Sequence, residues 1–166
     1  MAIVRPEQEG DAPEIAAVHV ASFDDASESE LVARLRGSDA WVPELSLIVQ
    51  QDEAIVAHAL FTKLEGDDPE RPMLALGPVA VLPDYQRKGV GMALVRMGLS
   101  RARQLGYTAV VAVGPPVFMA NCGFRPAAPR GLEIAMDVPD ESFVVAELRA
   151  GGIVPGPVGW PAEWQS

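Results

Sequence analysis

Between residues 76 and 93 an apolar run, Leu76-Gly77-Pro78-Val79-Ala80-Val81-Leu82, leads into Pro83-Asp84-Tyr85-Gln86-Arg87-Lys88-Gly89-Val90-Gly91-Met92-Ala93. This order reads as a buried strand, a turn with two cations, and a glycine-rich helix start. A helix N-terminus offers unpaired N–H groups and about half a positive charge, so glycines there let a phosphate come close. Gln86, Arg87, Lys88, Gly89, Val90, Gly91 and Met92 are therefore the candidate phosphate-binding set. Leu94 stands where a dinucleotide fingerprint needs its third glycine, and no Gly-Lys-Ser/Thr follows, which argues against both common nucleotide folds.

Few other side chains can move a proton. His58 has the intrinsic pKa for a base, about 6.5, although a single histidine alternating in a strand is more often a packing residue. Asp24, Asp25, Glu28 and Glu30 crowd one helix boundary, where solvated acids are common. Cys122 has no flanking histidine or cation and reads as buried filler. One cysteine and two distant histidines give no metal spacing, so no metal site is expected.

These groups must be held by the surrounding elements. The 166 residues, 49% hydrophobic and 22% charged, suit one domain over 1–166 with an irregular Gly/Pro-rich tail at 151–166. Residues 2–5 read as a short strand. A helix at 12–22 opens on Asp11 and Glu14, which imitate a capping box, and a second, capped by Ser27 or Ser29, carries Leu31, Val32 and Leu35. Residues 45–49 and 54–61 form a hairpin, and 73–82 the central strand, whose Gly77-Pro78 pair predicts a bulge and a parting from a neighbour. A helix follows from Lys88 to Leu105, with Val90, Leu94, Met97 and Leu105 facing inward, then a buried parallel strand at 109–113. Residues 133–138 and 143–148 are predicted as a closing antiparallel pair. The tail, with Trp160 and Trp164, either covers the core or reaches a partner.

Gln86-x-x-Gly89-x-Gly91 after Val-Ala-Val-Leu-Pro resembles the acetyl-CoA signature of the GNAT N-acetyltransferases. Gly123-Phe124 is similar to the end of that family's second signature, Tyr-x-x-x-Gly-Phe, but Met119 stands in the tyrosine place. A thioether cannot give up a proton. The resemblance is specific for residues 73–126 and points to the branch of small uncharacterised acetyltransferases. It implies an α/β (α+β) fold: a mixed, mostly antiparallel sheet of about seven strands with a central β-bulge splay, flanked by about four helices. It also implies acetyl-CoA as cosubstrate, with Val79, Ala80 and Val81 pairing with the pantetheine arm and the Val79 N–H holding the oxyanion. The two early helices would wall the site of an amine acceptor, a small molecule or a protein amine, and bring Asp24, Asp25, Glu28 or Glu30 to it; His58 and these acids are the candidates for its base. A non-catalytic CoA-binding or interaction module on the same fold is the other reading.

The formal net charge of −10 argues against binding to nucleic acid or acidic membranes and favours cationic partners. No signal-peptide pattern opens the chain, so a cytoplasmic protein is expected, and a homodimer is left open.

Overall fold

The computed structural model describes residues 1–66 and 68–165. In chain order it holds β1 (Ala2–Pro6), α1 (Ala12–Phe23), α2 (Ser27–Arg36), β2 (Trp41–Gln51), β3 (Ala54–Lys63), β4 (Met73–Val81) and α3 (Val90–Gln104). Then come β5 (Ala109–Val113), α4 (Pro116–Cys122), β6 (Arg125–Pro126), β7 (Leu132–Glu133), β8 (Phe143–Glu147) and β9 (Gly156–Pro157). Seven strands form one sheet in the order β1-β2-β3-β4-β5-β8-β6, in which only β4 and β5 run parallel. The β2–β3 hairpin is tighter than its sequence suggests, because Asp52 and Glu53 both take positive φ, 51° and 70°, and turn the chain alone.

Alternation sorts the side chains of the sheet onto two faces. Leu47, Val49, Ala57, Ala59 and Phe61 pack with Leu94, Val95 and Ala102 of α3 and with α4. On the other face Ile48, Ile55 and Ala80 pack under Ile15 and Val18 of α1, and Leu60 under Leu31 and Leu35 of α2. The half of that face beyond these helices is covered by the tail: Trp160, 6% exposed, and Ile153 pack with Ala75, Val111 and Val145.

β4 parts from β5 as its Gly77-Pro78 pair predicts. The parallel ladder ends at Leu76↔Ala112, while β4 runs on beside β3 with a register shift between Phe61↔Leu76 and Ala59↔Val79. Past Leu76, no strand among the described residues pairs with the β5 side of β4.

Four local expectations are corrected. Asp11 and Glu14 make no capping box: Asp11 takes a charge-assisted bond from Arg5 at 2.8 Å and the Gln8 N–H at 2.7 Å, and Glu14 accepts the Ile55 N–H at 2.8 Å. Ser27 and Ser29 lie inside α2, whose N-cap is Ala26; the Asp25 carboxylate receives the Ser27 N–H at 2.8 Å. The inward face of α3 is Leu94, Val95, Gly98 and Ala102, while Met97 and Leu105 stay 42% and 46% exposed. The helix rolls this way because it meets the sheet at Gly98, where an added Cβ would lie 2.2 Å from the Phe61 ring. Residues 133–138 do not pair with β8, which already lies between β5 and β6; only Leu132–Glu133 form a strand, parallel to β9 in a separate two-stranded sheet.

Candidate active site

The parting of β4 from β5 opens a cleft of about 880 Å³ that reaches both faces of the sheet. On one side it meets the start of α3. Gly89 is the N-cap, at φ 80°, and Ala93 is the first residue of the helix to return a bond, to the Gly89 carbonyl at 3.0 Å. The N–H groups of Val90, Gly91 and Met92 precede it, and all three residues line the cleft with Gly89 and Arg87. No acid stands in the first turn of α3 to oppose an incoming anion. Gly91 packs where a Cβ would sit 3.3 Å from Val81 and 3.5 Å from Phe118, so the helix start is pressed against the slot.

Most of the predicted cofactor set converges here, and part of it does not. Val79, Val81, Gln86, Arg87, Gly89, Val90, Gly91 and Met92 line the cleft. The Gln86 amide donates to the Val81 carbonyl at 2.8 Å, fastening the turn to the end of β4. Lys88 lies outside the lining, its Nζ 5.9 Å from the centre of the Tyr85 ring. Ala80 faces away, buried under α1. Met119 lines the cleft where the tyrosine of the related signature would stand, and is 4% exposed. Cys122 is 3% exposed within the main core, and burial pushes its thiol pKa up.

His58 is fully buried and lines no part of the cleft, so the expectation that it meets the acceptor directly is corrected. It belongs to a chain of polar groups between β3 and α1. The Ser46 hydroxyl donates to Glu7, which is paired with Arg36 at 3.0 Å, and its oxygen lies 2.8 Å from His58 Nε2. His58 Nδ1 lies 2.8 Å from His19 Nε2. The donor count assigns the tautomers: His58 Nε2–H donates to Ser46, and His19 Nε2–H donates to His58, leaving His19 Nδ1 without a partner. Burial, with Arg36 adding to it, lowers the His19 pKa to about 4, and burial first holds His58 well below its ordinary value. Sequence reasoning missed His19. The available signal was a polar residue in each of two apolar strand runs, Ser46 and His58, which must be satisfied from a covering helix.

The other side of the cleft lies between α2 and the tail. Of the four acids at the helix boundary only Glu28 lines it, beside Phe23, Leu31, Trp160 and Trp164. Burial, then the neighbouring Asp25, raises the Glu28 pKa above the usual carboxylate range. Glu28 and Arg87 are the only ionisable residues lining the cleft among the described residues. No group of three metal-ligating side chains occurs among those residues, and no helix of theirs is long and apolar enough to cross a membrane.

The splayed parallel strand pair thus opens onto the acid-free start of α3 at one end and onto an apolar chamber at the other. The acetyltransferase (GNAT) family model matches residues 12–124, and the chain belongs to that family. It is 34% identical over 134 residues to the uncharacterised N-acetyltransferase YjhQ of Escherichia coli K12, covering 79% of this chain and 74% of that one. The structure of the YhbS acetyltransferase of E. coli in complex with CoA superposes with a TM-score of 0.90 at 28% identity, over 99% of this chain and 92% of that one. A GNAT acetyltransferase of Brucella melitensis in complex with acetyl-CoA gives 0.81 at 26% identity, over 99% and 98%.

Proposed function

We propose that the chain is an N-acetyltransferase that binds acetyl-CoA in this cleft and transfers the acetyl group directly to an amine. The observation that carries the reading is the unpaired β4 edge at Val79–Val81 ending at the N-terminus of α3. The N–H groups of Val90, Gly91 and Met92, with Arg87 at the turn, take the pyrophosphate. Val79 and Val81 present backbone to the amides of the thioester arm, and the Val79 N–H takes the charge that gathers on the carbonyl oxygen. A thiol of pKa roughly 8.5 leaves acceptably as its thiolate, so the chain functions without an acid at Met119. The family membership and the CoA-bound neighbours support this reading.

Calorimetry with acetyl-CoA followed by thiol release over a panel of amines tests it. Arg87→Glu should weaken acetyl-CoA binding tenfold or more, about 1.4 kcal/mol, with little change in melting temperature, since Arg87 is exposed. Unchanged affinity would remove the phosphate site from the start of α3. Met119 favours a second reading, a CoA-binding module without turnover, and binding with no thiol release from any amine would select it.

A further inference from the structure

We propose that Glu28 receives the ammonium group of the acceptor and takes its proton, and that the acceptor carries this ammonium on an apolar body of about the size of an aromatic ring. The proposal rests on the transferase reading above and names the acceptor side of the same cleft. Of the four acids at the α1–α2 corner, three are otherwise placed: Asp24 is the left-handed C-cap of α1, Asp25 holds the Ser27 N–H, and Glu30 is exposed to solvent. Glu28 makes no hydrogen bond or ion pair among the described residues and stands in the cleft wall. The residues of α1, α2 and the tail that line the cleft with it are Ser22, Phe23, Leu31, Trp160 and Trp164, all but Ser22 apolar or aromatic. α2 lies on the face of the sheet opposite α3, so Glu28 is separated by the slot from Arg87, the cationic group that lines the cleft among the described residues.

A half-buried carboxylate without an ion-pair partner in such a wall is matched by a cation brought in by a ligand. The apolar wall selects the rest of that ligand: polar amides or further charges would lose water there without gaining partners. One proton passes from the ammonium to a Glu28 oxygen. The freed lone pair then forms the C–N bond at the acetyl carbon, the carbonyl π pair moves onto oxygen beside the Val79 N–H, and it returns as the C–S bond breaks. A second proton leaves the nitrogen for the departing sulfur, and Glu28 gives its own to water once the products have gone.

Acetyl-CoA calorimetry on wild type, Glu28→Gln and Glu28→Asp comes first. Equal affinity in all three is expected, and no binding to wild type would instead overturn the transferase reading. Thiol release is then measured with phenethylamine, ethanolamine and spermidine. Phenethylamine should give the highest kcat/KM, and Glu28→Gln should lower it by about a hundredfold. The same variant should also lose the acid limb of the kcat/KM pH profile, with its melting temperature kept, while Glu28→Asp recovers part of the rate. Preference for ethanolamine or spermidine overturns the apolar body, and an unchanged rate and pH profile in Glu28→Gln overturns the role of Glu28. If acetyl-CoA binds but no amine turns over, calorimetry on the CoA-loaded protein decides. Phenethylamine should bind wild type at least about tenfold tighter than phenethyl alcohol does, with the gap closing in Glu28→Gln. No such gap overturns the proposal.

Discussion

Met119 and Cys122 lie on one short helix and differ in what they face. Met119 lines the cleft; replacing it with tyrosine restores a proton donor beside the departing sulfur, and the expected result is a raised maximal rate with an amine acceptor and a nearly unchanged acetyl-CoA dissociation constant. The larger ring must enter a site where Met119 Sδ already lies 3.0 Å from the place of a Cβ on Gly114, so stability should fall by about 1–3 kcal/mol, read as a lower melting temperature. Cys122 sits in the core, so acetyl-CoA alone should leave no acetyl adduct in the intact mass, and Cys122→Ala should keep its activity at a small stability cost. An adduct that disappears in Cys122→Ala would turn direct transfer into two steps. At this scale the glycine-rich start of α3 at the cleft was legible, because the strand end, the turn and the glycines follow one another along the chain. The choice of Glu28 among four acids was not, since it depends on how α2 turns toward a tail more than a hundred residues away.

The docking of α1 onto β3 includes the buried His19–His58 pair beside the Ile15 and Val18 contacts, so one joint between elements depends on pH. Both imidazoles have depressed pKa values in the folded chain, which favours their neutral forms there, whereas the unfolded chain takes up protons near pH 6.5. The stabilisation is present above about 6.5 and is lost as pH falls toward the folded value of about 4; for His19 alone this is on the order of 3 kcal/mol. The midpoint of urea unfolding should therefore drop between pH 6.5 and 4, and His19→Gln should flatten that decline; a slope unchanged in the variant removes His19 as its source. Across the sheet, Gly98→Ala should force the Phe61 ring to move and cost about 1–3 kcal/mol in the same assay. The periodicity of 88–105 announced α3, but a glycine carries no hydrophobic signal, so the true inward stripe through Gly98 was invisible and Met97 was misplaced. The pairing of 133–138 failed for a related reason: Ile134, Met136 and Val138 pack partly buried against the tail-side core without a ladder.

At the scale of the whole molecule, the mixed seven-stranded sheet and its splay followed from the signature and its bulge, whereas the cover over half of one face came from a Gly/Pro-rich tail with no periodicity to read. That cover is structural as well as part of the cleft wall. Trp160→Ala should cost about 3–5 kcal/mol, lowering the melting temperature even without ligand. A cost near zero would mean that the tail only rests on the sheet. The same pair of rings has a further use. Trp160 and Trp164 stand 5.5 Å apart in the cleft wall, while Trp41, the third and last tryptophan, lies under the Arg36 guanidinium on α2. Two of the three indole chromophores therefore border the space a substrate must enter. Filling it should alter their emission while Trp41 contributes a steady background, so the unlabelled protein doubles as its own fluorescent gauge of occupancy, with no coupled enzyme or dye.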